Sequence, residues 1–341
     1  MSTTTQAIPK STAIAKPAEV AKTPEAVAKQ VSPPYLKLPL TTDGKLIEAA
    51  PLLQSPRSLV NISWPKTGKT DNMIGVPKFL IGDCEEGTVY FEGTNQTNLK
   101  TFNGESAFYK TKSGTFVPAG LYETVQELNR ANQMKLFNEL YEKLIATRDK
   151  GVYKVLVQLI NEMPFPIFVI DTLTYFMKLI YSASLAEYNE PLDSTKQKLD
   201  IKRVDQYGGV QYIRKSVEDI KAFVERNAAP FIIYNGHIKL KKSVLKKTDE
   251  EISTVDLALE GALPTIFTSG ASAVCTLIRD EKGVFMDFRK KSDDDLDARP
   301  RHLGNRLIQI ADLHNFDGKG NLIEKGKTYW ERIFPEINFA V

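Results

Sequence analysis

The sequence predicts an α/β fold with a mostly parallel sheet, helices on both faces and antiparallel C-terminal strands. Short apolar runs alternate with segments of helical periodicity, and strands that are joined through helices pair in parallel. Three of the runs end in polar side chains, at the position where ligands bind in open α/β sheets. A turn signal at Lys282-Gly283 separates two late apolar runs and predicts a hairpin.

Composition limits the class of protein. The 341 residues are 42% hydrophobic, which suits one large or two small domains with a real core. Residues 1–34 lack aromatic side chains, which predicts a disordered tail before a domain over 35–341. A net charge of +3 means that nucleic-acid binding would need a local basic patch. With two cysteines, no membrane-length apolar stretch and no signal-peptide pattern, we expect a cytoplasmic protein without a membrane partner.

The first predicted strand, Leu59–Ile62, leads into a phosphate-binding pattern. The motif is Gly-x-x-x-x-Gly-Lys-Ser/Thr, in which backbone N–H groups wrap phosphates, the lysine neutralises them and the hydroxyl binds Mg²⁺. The matching residues are Ser63, Trp64, Pro65, Lys66, Thr67, Gly68, Lys69 and Thr70, with Ser63 replacing the first glycine. We therefore expect ATP and Mg²⁺ to bind at residues 63–70, with Lys69 also acting in catalysis. A chance match in a surface loop is the alternative.

The segment after the loop predicts a helix, a strand and an acidic turn. Residues 71–76 suit a brief helix before Pro77, whose N-terminus would add donors for phosphate. Lys78–Gly82 is the second strand, followed by the turn Asp83–Gly87. In this turn Glu85 is the candidate base that orients and deprotonates water, with Asp83 and Glu86 as alternatives and a solvated turn as the simpler interpretation.

A helical insertion over 100–160 precedes the third strand. Its periodicity predicts two helices that break near Gly151, the second over about Val152–Glu162. The strand Phe165–Ile170 follows and ends at Asp171, a candidate Mg²⁺ ligand. Alternatively, Asp171 or Thr172 caps the next helix.

The remaining chain predicts one more helix and several strands. The helix spans Gly209–Asn227, and the strand Pro230–Tyr234 leads to His237, which could contact a γ-phosphate, although a lone histidine is more often structural. Residues 254–310 are predicted to form strands and turns, and residues 311–341 a C-terminal extension.

Taken together, these parts resemble the RecA-like P-loop NTPase core. The resemblance implies that Glu85 activates water, Asp171 serves the metal and His237 senses the γ-phosphate. The closer resemblance is to phage RecA-like proteins of the single-strand-annealing type, and it rests on Tyr207–Tyr212, Asp256–Gly261 and Arg299–Leu303. It implies a DNA-stimulated ATPase in the host cytoplasm that forms rings or filaments on single-stranded DNA and pairs strands in recombination or replication. A single-strand-binding protein is an implied further partner.

The resemblance also suggests DNA contacts and a finger that completes a neighbouring subunit's site. The expected DNA contacts are Lys202, Arg203, Tyr207, Tyr212, Lys239, Lys241 and Lys242, although charge runs are usually solvated surface. The finger would be Lys290 and Lys291 beside Arg289, unless Asp293–Asp295 neutralise them. A non-catalytic nucleotide-binding protein and a helicase- or loader-type motor are the alternatives.

Overall fold

The described part of the chain forms one compact unit. The computed structural model describes residues 53–91, 96–99, 108–130, 135, 137–139, 142, 150–204, 208–244, 251–290, 296–319 and 321–340. All of these belong to the unit that spans residues 48–341. The predicted tail 1–34, together with Tyr207 and Lys291, lies outside the described residues.

A ten-stranded sheet forms the centre of the unit, in the order β12-β10-β9-β1-β7-β6-β2-β3, with β11 paired to β9 and β8 to β7. Its strands are β1 (Ser58–Ser63), β2 (Phe79–Asp83), β3 (Gln96–Asn98), β6 (Ile167–Asp171), β7 (Phe231–Val244), β8 (Glu251–Leu257), β9 (Ala273–Asp280), β10 (Gly283–Asp287), β11 (Asp297–Ala298) and β12 (Leu307–Ala311). Two short hairpins lie outside it, β4 (Phe108–Lys110) with β5 (Phe116–Pro118), and β13 (Asn315–Phe316) with β14 (Leu322–Glu324).

The strands from β9 to β3 pair in parallel, whereas β8, β10, β11 and β12 pair antiparallel to their neighbours. The expected α/β class, with a mostly parallel sheet and antiparallel C-terminal strands, is therefore confirmed. In β1, β2, β6 and β7 apolar side chains from both faces are buried, because helices or other chain segments cover the sheet on each side.

Helices and a C-terminal segment divide the two faces of the sheet between them. One face packs on residues of α1 (Ala119–Arg130), α3 (Leu173–Asn189), α4 (Gly208–Asn227) and the short α5 (Leu263–Thr268). The opposite face packs on α2 (Lys150–Glu162) and on residues 330–337. The third helix, α3, was not predicted, and Thr172 stands at its N-cap position without a capping side-chain hydrogen bond.

Three sequence-based expectations need correction. Residues 71–76 form successive turns and no helix, with Gly75 at φ 65°, so no helix N-terminus points at the loop. The strand predicted to end at Tyr234 continues to Val244, because β8 pairs with its second half as a hairpin. Within 254–310, residues 263–268 are helical, and Pro264 occupies the first turn where it sacrifices no helical hydrogen bond.

The C-terminal segment holds the turns at 71–76 in place. The Trp330 indole Nε1 donates to the Asn72 carbonyl at 2.9 Å, and the Lys325 ammonium donates to the Ile74 carbonyl at 2.8 Å. His314 Nε2 lies 3.3 Å from an Asp71 carboxylate oxygen. Trp330 is fully buried and packs edge-on against Phe79 at 5.0 Å between ring centroids. This segment supplies the support that a following helix would otherwise give.

We expect Trp330→Phe to destabilise the protein by about 1–3 kcal/mol, because it keeps an aromatic ring but leaves the Asn72 carbonyl without its donor. Denaturant unfolding of the full chain measures this change. Trp64, the only other tryptophan, is half exposed, so Trp64→Phe should shift stability by less than about 0.5 kcal/mol. Equal shifts in the two variants would contradict the anchoring role of Trp330.

Candidate functional site

A buried polar row crosses the sheet beneath the phosphate loop. Strand register places Cys275, Asn61, Asn235 and Asp171 side by side on neighbouring strands. Asn61 Nδ2 donates to Asn235 Oδ1 at 2.9 Å, and Asn235 Nδ2 donates to Asp171 Oδ1 at 3.2 Å. Buried polar groups need such partners, so the row fixes the position of the Asp171 carboxylate.

The phosphate loop accepts Ser63 without strain. Ser63 is the last residue of β1, and its φ is not positive. The left-handed positions are instead Lys66 at φ 65° and Gly68 at φ 98°. A glycine is therefore needed at position 68 and not at position 63.

The backbone of the loop presents unpaired donors. No N–H group from Lys66 to Thr70 donates to another described protein group, and the next turn begins only with the Asn72 N–H bonding the Gly68 carbonyl at 3.2 Å. Consecutive free N–H groups around a concave turn form an anion-binding nest. The loop thus keeps its phosphate-binding donors although no helix follows it.

The Lys69 ammonium is tied back onto its own loop. It donates to the Ser63 hydroxyl at 2.9 Å and to the Trp64 carbonyl at 3.2 Å, and it lies 3.4 Å from His237 Nδ1. Burial lowers the pKa of Lys69, while the charges of Asp171 and Glu85 oppose that shift. A phosphate that draws this ammonium away has to compete with the Ser63 hydroxyl.

Thr70 and Asp171 are adjacent, as a shared metal would require. The Thr70 hydroxyl donates to Asp171 Oδ2 at 2.5 Å. Burial raises the pKa of Asp171, although hydrogen bonds from Thr70 and Asn235 oppose the shift. The described residues contain no cluster of three or more His, Cys, Asp or Glu side chains suited to a metal. One hydroxyl and one carboxylate nevertheless fit Mg²⁺, which takes its other ligands from water and substrate phosphates.

Among the acids after β2, Glu85 faces the loop. The Asp83 carboxylate accepts from the backbone N–H groups of Glu85 and Thr88, each at 2.9 Å, so it builds the turn. Glu86 is exposed, with a left-handed φ of 62°. Glu85 Oε1 accepts a hydrogen bond from the Thr172 hydroxyl and lies 3.7 Å from His237 Nε2.

The electrostatics around Glu85 favour the carboxylate. Burial raises the pKa of Glu85, but the nearby His237 side chain, the hydrogen bond from the Thr172 hydroxyl and the Lys69 charge outweigh burial, so the net pKa is lowered. A lowered pKa keeps Glu85 ionised at neutral pH, the form that can accept a proton.

The loop, Glu85, Thr172 and His237 line one cavity of about 430 Å³, a size suited to a small-molecule ligand. It is lined by Pro65, Lys66, Gly68, Lys69, Thr70, Asp71, Glu85, Gly87, Phe91, Thr172, His237 and Arg279. Sequence reasoning did not find Arg279. The available signal was an arginine at the end of a strand whose preceding residues are buried.

The expected DNA contacts are spread over several elements. Lys202 pairs with Glu260 at 2.8 Å, and Arg203 is largely exposed. Tyr212 belongs to α4 and packs edge-on against Tyr188 at 5.2 Å. Lys239, Lys241 and Lys242 lie in strand β7, and Lys239 donates to the Leu259 carbonyl.

Of the residues proposed to reach a neighbouring subunit, Arg289 is engaged within its own chain. Its guanidinium donates to the buried Asp287 carboxylate at 2.8 and 2.9 Å. Lys290 follows it and is exposed. Lys290 is therefore a better candidate than Arg289 for a contact with a neighbouring subunit.

Comparison with protein-family models finds no family that matches this chain, and comparison with curated proteins finds no relative. Among the described residues, no helix combines the length and apolar character needed to cross a membrane.

We expect Asn61→Ala and Asn235→Ala to be non-additive in stability, because the two amides share one buried hydrogen bond. Each should cost about 1–3 kcal/mol, and the double variant should cost less than the sum by about 0.5–3 kcal/mol. As a control, Asn235→Ala combined with Asn227→Ala at the end of α4 should be additive. Equal coupling in the two pairs, measured by denaturant unfolding, would argue against the polar row.

Proposed function

We propose that this protein is a Mg²⁺-dependent ATPase with a RecA-like core that acts on single-stranded DNA in recombination or replication. The observation that carries the proposal is one cavity lined by the loop with its unpaired N–H groups, by Lys69 and Thr70, and by Glu85. Asp171 is buried behind Thr70, to which it is hydrogen-bonded. Each group matches a separate requirement of phosphoryl transfer.

Thr70 and Asp171 would hold Mg²⁺, the first through its hydroxyl and the second directly or through water. When bound, the ion would supply positive charge that neutralises the phosphates. The hydrogen bond between Thr70 and Asp171 supports this role, and so does the buried polar row behind Asp171. Together they hold the two oxygen ligands close to each other.

Lys69 and Glu85 would act on the phosphate and on the attacking water. The Lys69 ammonium needs to move only from the Ser63 hydroxyl and the Trp64 carbonyl to reach a bound phosphate. Glu85 is ionised and exposed enough to orient a water molecule, and His237 lies between Glu85 and Lys69. A γ-phosphate that contacts His237 would thereby affect the base and the lysine together.

The role on DNA rests on the resemblance to RecA-like proteins and on surface charge. Arg203 supports it best, because its side chain is about 84% exposed and its one ion pair, with Asp200 at 3.8 Å, is long, so the guanidinium can reach a phosphate backbone. Lys202 and Lys239 would first have to leave Glu260 and Asp256. Assembly into rings or filaments and contact with a single-strand-binding protein belong to the same proposal.

One observation favours the non-catalytic alternative. The Ser63 hydroxyl competes with phosphate for the Lys69 ammonium, and this competition would favour holding nucleotide over turning it over. Hydrolysis by the unmodified protein separates the two functions. Nucleotide binding without turnover would support the alternative.

We expect Glu85→Gln to bind MgATP normally but to hydrolyse it about 10²–10⁴-fold more slowly, because the amide cannot accept a proton from water. Calorimetric titration and phosphate release measure the two properties. Glu86→Gln is the matched control, since this neighbouring acid is exposed, and it should behave as wild type. Full turnover by the Glu85→Gln variant would exclude Glu85 as the base.

We expect single-stranded DNA to stimulate hydrolysis and Arg203→Ala to weaken binding to any oligonucleotide sequence. Loss of one phosphate contact should reduce the slope of log K against log salt by about 1. Fluorescence anisotropy at several salt concentrations measures the slope. Lys319→Ala, an exposed change beside β13, is the control, and identical slopes in both variants would remove Arg203 from the DNA surface.

A further inference from the structure

We propose that Arg279 belongs to the nucleotide site and binds the α- and β-phosphates, on the side of the loop opposite Glu85 and His237. The inference deepens the proposed function and rests on it. It adds a cationic contact from the same chain, on a strand that the expected site did not include.

Strand register brings Arg279 to the level of the loop. Ile62 pairs with Thr276, and β1 ends one residue later at Ser63. Arg279 lies three residues beyond Thr276, roughly 10 Å further along β9. One of its guanidinium nitrogens lies 3.8 Å from the point that a side-chain Cβ would occupy on Gly68.

The guanidinium has no partner within the described part of the chain, where no hydrogen bond or ion pair involves it. By contrast, Arg289 binds Asp287 and Arg214 binds Glu218. The nearest acid on the loop, Asp71, is engaged by His314 at 3.3 Å. An unpaired guanidinium beside free backbone N–H groups is suited to phosphate, which its planar fork can bind through two hydrogen bonds.

The order of strands gives the direction in which the nucleotide would lie. β9 and β7 flank β1 on opposite sides, so Arg279 and His237 lie on opposite sides of the loop. The reacting γ-phosphate belongs with Glu85 and His237, which leaves the α- and β-phosphates on the side of Arg279. We expect Arg279 to bind these phosphates equally in the bound nucleotide and in the transition state, so it should strengthen binding without accelerating turnover.

The test compares Arg279→Gln with Lys282→Gln in the full chain. Lys282 is an exposed cation at the tip of the same β9–β10 hairpin and does not line the cavity. Calorimetry with MgATP, MgADP and adenosine, and steady-state hydrolysis, are the measurements. We expect Arg279→Gln to weaken MgATP and MgADP binding equally, by about tenfold, with kcat within about twofold of wild type and adenosine binding unchanged. Lys282→Gln should match wild type, and Arg279→Lys should recover part of the affinity.

Several results would overturn the inference while leaving the proposed function intact. They are unchanged affinity for both nucleotides, a fall in kcat without a fall in affinity, and an equal loss of adenosine affinity, which would place the guanidinium against the base. A wild-type protein that binds no nucleotide would overturn both proposals. An unchanged thermal midpoint in Arg279→Gln would exclude misfolding as the cause of weaker binding.

Discussion

A carboxylate buried at the end of a central strand must be hydrogen-bonded, and this requirement organises the site. Asp171 meets it with two donors, the Thr70 hydroxyl from the loop and the Asn235 amide from the neighbouring strand. Asn235 is in turn fixed by Asn61 on the strand that leads into the loop. The same bonds that satisfy the buried Asp171 carboxylate therefore align β1, β7 and β6 at the level of Asn61, Asn235 and Asp171.

The loop above this row is supported in an unusual way. Residues 71–76 form turns, so the fixed dipole of a helix is absent and phosphate affinity must come from the loop N–H groups and nearby cations. Three separate contacts hold these turns in place, one each from Trp330, Lys325 and His314. Residues 311–341 were predicted from the sequence to be a C-terminal extension. They thus contact the turns that follow the phosphate loop.

The sequence was sufficient to place four of the parallel strands at the centre of the sheet and the polar side chains that follow them. Apolar runs bounded by turn residues identified β1, β2, β6 and the first half of β7, because buried parallel strands leave a strong composition signal. The helix expected at 71–76 does not form. Its residues permit a helix, but Gly75 and the contacts with residues 314–330 favour turns. The place of Arg279 at the cavity and the support from Trp330 both depend on contacts between residues that are far apart in sequence. No local sequence pattern predicts such contacts. Glu85 was the sequence-based candidate for the base, with Asp83 as an alternative, and the structure adds that backbone N–H groups of the turn occupy the Asp83 carboxylate.

The contact between Trp330 and Asn72 joins residues 258 positions apart. A ribosome adding about 5–20 residues per second would take roughly 13–50 s to synthesise that interval. During this time the phosphate loop is already made but lacks the indole that later anchors it. The proposed nucleotide site therefore matures late, because its loop cannot reach its final support until Trp330 has left the ribosome.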